Sequence, residues 1–199
     1  MKWGIPTFLF SPISGHTNTI FIAMQGSIDS HIEGIVQNIL EDSVGTKGEG
    51  VYLVAMTVKG SAVHRKIEVI LDADSGVRID QCSFFARRIR ERLEEDEALS
   101  GTMGEDFDLV VGSPGLGEPL VLRRQYGRHV GRLLRVWYRD TEGVEHEVAG
   151  HLQAVSLTEG GGSITLKPQT AKKKGRQEET EDMTLELDAV SRAVPEAEI

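Results

Sequence analysis

Ser113 stands in Val-Val-Gly-Ser-Pro-Gly-Leu-Gly-Glu-Pro-Leu (residues 110–120), between an apolar run and an arginine-rich one. That setting could make a nucleophile, a phosphate cradle or a chain joint. A Gly-x-Ser-x-Gly nucleophile elbow needs glycine where Val111 stands, and it takes an oxyanion-hole N–H from the residue after the serine. Pro114 has no N–H, so the design fails there. Gly112, Gly115 and Gly117 do not make Gly-x-Gly-x-x-Gly, and no Gly-Lys-Ser/Thr is present to hold phosphate. The residues do suit a joint. Pro114-Gly115 forms a tight turn, and Pro119 restricts Glu118 to extended backbone.

The histidines fail on spacing. His146 and His151 in His-Glu-Val-Ala-Gly-His are five apart, which on a helix separates them by about 140° and on a strand sends them to opposite faces. The single cysteine, Cys82, allows no internal disulfide, and with no Cys-x-x-Cys or Cys/His cluster the sequence offers no metal ligands. Gly-Thr-Met-Gly (101–104) matches the Gly-x-x-Gly clamp of a KH domain, but that clamp needs a following helix, and a strand pattern follows here. These residues offer no catalytic, cofactor or metal site.

Charge says more than any of these motifs. The chain of 199 residues carries a formal −9. Residues 1–119 hold 10 basic and 18 acidic side chains, hence −8, and residues 120–199 hold 12 and 13, hence −1. Within the second part, Leu120 to Arg139 contains Arg123, Arg124, Arg128, Arg132, Arg135 and Arg139 and no acid. Guanidinium forks at that density suit phosphates or carboxylates, and Tyr126, Trp137 and Tyr138 could stack on bases or simply pack. The plainer alternative is solvated strand faces and bridges to the acidic part. Arg87, Arg88, Arg90 and Arg92 sit beside Glu91, Glu94 and Glu95, where bridging within a helix accounts for them.

These groups must be positioned by regular elements. Ile28, Ile32, Ile35, Val36, Ile39 and Leu40 share one helix face, with Ser27 or Ser30 as cap and Ser30/Glu33 at capping-box spacing. Val51–Lys59 reads as a buried strand. Val63, Ile67, Val69 and Leu71 alternate with polar residues in a strand wet on one side. Asp-Ala-Asp-Ser-Gly (72–76) turns the chain. A second helix carries Cys82, Phe85, Ala86, Ile89 and Leu93 on one face, with Asp80 as cap and Gly101 and Gly104 ending it. Phe107, Leu109 and Val111 mark another strand. The order α-β-β-α-β packs economically as a half-wet sheet covered by two helices.

After residue 120, short strands with turn signals at 132–139, 146–157, 163–167 and 183–188 read as a compact barrel or sandwich. Residues 168–182 form a polar loop, basic then acidic. At the other end, residues 1–23 are apolar but broken by Pro6, Pro12, Gly15 and Asn18, too interrupted for a signal core or membrane span. They read as a tail or an upstream stretch before a start at Met24, ahead of one unit at 24–119 and a second at 120–199.

From about Ile28 to Pro195 the chain resembles the bacterial RimP family of ribosome maturation factors. The resemblance rests on Glu-Val-Ile-Leu-Asp-Ala-Asp-Ser-Gly-Val-Arg-Ile-Asp-Gln-Cys (68–82) and its helix, and above all on Val111, Ser113, Pro114, Gly115, Leu116, Pro119 and Leu120, which match the family signature Val-Ser-Ser-Pro-Gly-Leu-Asp-Arg-Pro-Leu. Gly112, Gly117 and Glu118 depart from it, the last by reversing a charge. The resemblance implies an α+β fold: an N-terminal α-β-β-α-β domain, then a small Sm-like (Src-homology-three-like) β-barrel. It implies a non-enzymatic factor that binds the immature small ribosomal subunit and helps a ribosomal protein near the decoding region to join, expected to be a monomer without cofactor, and the lone Cys82 fits the reducing cytoplasm.

On this basis Arg123, Arg124, Arg128 and Arg132 are expected to face ribosomal RNA, and Asp72, Asp74 and Asp80 a basic ribosomal protein. A non-ribosomal adaptor whose barrel recognises a peptide is the alternative.

Overall fold

The computed structural model describes residues 16–61, 64–100, 107–115, 117–169 and 181–198. Outside them lie residues 1–15 of the expected tail, Val63, Gly101 and Gly104, Leu116 of the signature, and most of the expected loop 168–182.

The first helix, α1 (His16–Glu41), starts well before the expected caps and runs through Ser27 and Ser30. It therefore also covers the second part of the stretch expected as a tail. From Ile28 on, its core face is the one the periodicity marks: Ile32 and Val36 are fully buried and Ile28, Ile35 and Ile39 nearly so. Strands β1 (Val51–Gly60) and β2 (Arg65–Ala73) pair antiparallel, and β3 (Phe107–Gly112) lies parallel to β2 at the sheet edge.

A parallel pair needs a crossover, which α2 (Ile79–Glu95) and the single turn α3 (Glu97–Ser100) supply. The α2 cap is not Asp80. The helix begins after Arg78, whose backbone N–H donates to Gln81 Oε1 at 3.0 Å, while Gln81 Nε2 reaches back to the Lys47 carbonyl at 2.9 Å. Asp80 sits instead in the first turn, where a carboxylate favours the helix dipole. Accordingly the fully covered face of α2 is Gln81, Phe85, Ile89 and Leu93, with Cys82 and Ala86 half-covered at its margin.

Both helices and the inner face of the sheet share one apolar cluster built on Ile67, Val69, Leu71, Phe85 and Phe107. The opposite sheet face is wet, as the alternation implies: Glu68 takes ion pairs from Lys59 at 3.5 Å and Lys66 at 2.8 Å.

A separate cluster organises the second part of the chain, around Leu134, Val136, Leu152, Ile164 and Leu166. Its strands are β4 (Leu133–Arg139), β5 (Glu145–Thr158), β6 (Gly161–Pro168), β7 (Met183–Glu186) and β8 (Val190–Pro195), in the antiparallel order β7-β6-β5-β4-β8. The pairing of β5 with β6 shifts register between Leu152 and Ala154, which bends the long strand. At Gly150 a Cβ would stand 2.8 Å from the Lys167 carbonyl oxygen, so only glycine permits that approach. The fold is mixed α+β with two sheets and two cores.

Candidate functional site

The signature loop spans the two cores. Val111, at its start, packs against the first cluster, and Leu120, at its end, against the second. Leu120 also donates its backbone N–H to the Ala193 carbonyl at 2.8 Å, fastening the loop to β8. Between these anchors the Glu118 N–H bonds to the Gly115 carbonyl at 3.2 Å. Among the described residues of the loop the left-handed one is Gly117, at φ +82°. Ser113 is exposed and, among the described residues, bonds to no base.

After the loop, a 3-10 turn (Arg123–His129), for which the sequence patterns give no helical signal, carries the basic residues. Its central side chain, Gln125, is fully buried. Gln125 Oε1 accepts from the backbone N–H groups of Val121 and Leu122, each at 2.9 Å, and its Nε2 donates to Asp72 Oδ2 at 2.9 Å. One amide thus satisfies the linker backbone and grips the end of β2. Asp72 is also fully buried, and its other oxygen accepts from Arg128 and from the Ala73 N–H at 2.8 Å. Arg124 forks onto Asp74 through Nε and Nη2, both at 3.0 Å, and lies over the Tyr52 ring with 3.7 Å to its centroid. The hydrogen bond that Arg124 donates to Asp74 raises the Arg124 pKa, and burial followed by the Asp72 charge raises that of Tyr52.

His129, at the end of the turn, is 4% exposed. Burial, with the charges of Arg128 and Arg132 behind it, pushes its imidazole down to about 4, so it is neutral at pH 7. Arg128 Nε donates to His129 Nε2 at 3.1 Å, which leaves the imidazole proton on Nδ1. Among the described residues that Nδ1 has no hydrogen-bond partner. An open cleft of about 710 Å³ lies alongside, between Ser75 and Gly76 on one side, the signature loop on another and Pro195–Glu198 on a third.

The structure therefore brings together two groups of residues that the sequence reading assigns to different partners. Arg124 and Arg128 point at Asp74 and Asp72, the bridging alternative for those arginines. Asp72 has no surface to offer, and the Asp74 carboxylate is occupied. Arg123 pairs with the exposed Asp188 at 2.5 Å. Arg132 is exposed on the cleft rim and makes no ion pair among the described residues. Asp80 lies apart from the joint, held by Arg78 at 3.1 Å, and that hydrogen bond lowers its pKa. His146 bonds Asp140 at 2.6 Å and His151 bonds Glu198 at 2.9 Å, so the two belong to different surface pairs. Among the described residues no cluster of metal-ligating side chains forms, and no helix is long and apolar enough to cross a membrane.

Gln125, Tyr52 and His129 are the joint residues that motif reading misses. The signal that could have found Gln125 is its place as the one amide side chain in Arg-Arg-Gln-Tyr-Gly-Arg-His, able to donate and accept at once.

The sequence is similar to known proteins. Residues 39–117 match the RimP N-terminal domain family. The ribosome maturation factor RimP of Chlorobium phaeovibrioides is 70% identical over 164 residues, 82% of this chain and 95% of that protein. The protein of the same name from Pelodictyon phaeoclathratiforme is 51% identical over 86% of this chain and 100% of its own length. A more distant one, from Cytophaga hutchinsonii, is 32% identical over 76% and 84% respectively.

Proposed function

The chain belongs to the RimP family of ribosome maturation factors, and from that premise we propose that it binds the immature small ribosomal subunit in the cytoplasm and assists its late assembly as a non-enzymatic factor. Membership supports a role in ribosome maturation. The small subunit as target, with ribosomal RNA and a ribosomal protein near the decoding region as contacts, is the finer step.

The observation that carries this step is the division of charge around the joint. The network at Asp72 and Asp74 absorbs Arg124 and Arg128 internally, while Arg132 and Arg123, the latter paired only with the exposed Asp188, keep their guanidinium groups at the surface for phosphate. Arg124 and Arg128 then act on RNA binding by fixing how this arginine face is presented. The acidic first part, with Asp80 on its surface, suits a basic ribosomal protein. Asp72 and Asp74 serve that contact through the joint.

We read the second sheet as an Sm-like barrel, a reading supported by its strand order, its bent β5 and the 3-10 turn ahead of β4. The non-enzymatic reading is supported by the exposed Ser113 with no N–H on the following proline. The protein acts as a monomer without cofactor.

Sedimentation of the purified chain with salt-washed small subunits, large subunits and complete ribosomes tests the proposal. The expected result is recovery with free small subunits in clear excess over the other two. Equal recovery with all three, or with none, would overturn it.

A further inference from the structure

A sheet edge offers unpaired backbone groups to any passing chain, and proteins blunt such edges with bulges, charges, proline, shortness or a cover. Three of the four edges here are treated in this way. β1 shifts register between Leu53 and Ala55 and carries Lys59. β7 is only four residues long. β8 accepts the Leu120 N–H and ends in Pro195.

The fourth edge, β3, carries one charge, Asp108, and no bulge, proline or cover among the described residues. Its six residues, Phe-Asp-Leu-Val-Val-Gly, pair with β2 without a register shift and include neither lysine nor proline. Among the described residues nothing pairs with its outer side. Beside it runs a groove of about 480 Å³ floored by Leu109, Val110 and Val111 and walled by Ile79, Cys82 and Ala86 of α2. Ile79 is 87% exposed and Val110 46%, which is a cost in water unless something covers them.

Charge identifies what would cover them. Arg90 lies over the Phe107 ring, so the end of α2 stands at the start of β3. At that end Glu94 pairs with Arg90, Asp96 with His31 and Asp108 with His64, and with Glu95 and Glu97 beside them the five acids outnumber the two arginines, Arg90 and Arg92. A second copy of this chain, itself at −9, is repelled there.

We infer that the β3 edge receives an extended basic peptide as a fourth strand, with alternate apolar side chains entering the groove beside Ile79, Leu109 and Val111, the intervening ones passing Val110 on the other face, and lysine or arginine at the Phe107 end. Backbone bonds supply affinity and the alternation supplies selectivity. The inference rests on the ribosome-assembly reading only in taking that peptide to be a segment of a ribosomal protein.

The test uses the full chain, labelled with nitrogen-15, and a capped octapeptide of alternating lysine and valine at low salt. Amide shifts concentrated at Phe107–Ser113 and along 79–86 are expected. Val110→Lys and Ile79→Lys, both at exposed positions that leave the core untouched, should weaken binding at least tenfold while the amide spectrum stays folded. Replacing the peptide lysines by glutamate should abolish it. Absence of binding, shifts centred elsewhere, undiminished binding by both variants, equal binding of the glutamate peptide, or a variant-sensitive dimer formed without peptide would each overturn the inference. None of these outcomes alters the sedimentation result, so the two readings fail separately.

Discussion

Asp72 and Asp74 lie two residues apart and each meets an arginine of the same 3-10 turn, yet the Asp72 side chain is wholly out of water and that of Asp74 is 69% exposed. Around Asp72 every bond has a consequence for the others. Its partners are a buried amide that holds the linker backbone, an arginine that also binds His129, and its own neighbour's N–H. Around Asp74 there is one fork and one ring contact in high dielectric. A buried carboxylate cannot exchange a lost partner for water, whereas an exposed one does so at little cost. The first region therefore ties the linker to the end of β2 through groups that water cannot replace, and the second adds an exposed pair beside it.

Removing Asp72 should give the largest effect. Asp72→Ala leaves Arg128 without its counter-charge and the Gln125 amide without an acceptor, a change that costs about 3 to 5 kcal/mol when the pair is buried. Urea unfolding followed by circular dichroism measures it. A loss below about 1 kcal/mol would mean that the joint opens readily to water and that the contrast with Asp74 is false.

Next comes pH, through His129. An imidazole titrates near 6.5 in an unfolded chain and at about 4 in this one. Between those values the unfolded chain takes up a proton that the folded one refuses. Stability is therefore complete above pH 6.5 and falls as pH drops towards 4, by up to about 3 kcal/mol. His129→Gln should flatten the part of the pH dependence lying in that window, read as the difference between the two proteins' urea midpoints at pH 7, 5.5 and 4.5. Parallel curves would show that His129 takes up its proton equally in the folded and the unfolded chain and that the joint tolerates the charge beside Arg128.

The elements of this fold that sequence reveals are those whose signal is local. The faces of α1 and α2 and the alternation in β2 follow from repeating side chains that each see one core. Phe85, Ile89 and Leu93 lie where their spacing puts them. The start of α1 does not follow the capping signals, because Ser27 and Ser30 sit within a helix that continues upstream to His16. Strand β8, Val-Ser-Arg-Ala-Val-Pro, is too short and too mixed to read alone, and it exists by pairing with β4.

The joint is harder still. The motif Ser-Pro-Gly announces a turn, but the bond between Gln125 and Asp72 closes 53 residues of chain, and no periodicity connects its ends. Charge counting separates arginines from acids as two faces for two partners. The structure folds two of the four arginines, Arg124 and Arg128, onto two of the three acids, Asp74 and Asp72.

The smallest effect on stability, and the sharpest on function, belongs to the rim. Arg124→Ala removes an exposed pair and should cost about 1 kcal/mol or less. Arg132→Glu should cost less again, since that side chain is exposed and pairs with nothing among the described residues. Their effects on RNA should run in the opposite order. If Arg132 meets a phosphate, its reversal lowers affinity for small subunits and removes roughly one unit from the slope of log affinity against log salt. If Arg124 acts only by holding Asp74, its loss changes affinity with little change in slope, because no phosphate contact is deleted. Measuring both slopes between about 50 and 200 mM salt separates a contact residue from a positioning residue, which a single affinity cannot do. A full-unit change for Arg124→Ala with none for Arg132→Glu would exchange the two assignments. RNA would then compete with Asp74 for the same guanidinium, and binding to the subunit would loosen the joint it was expected to use.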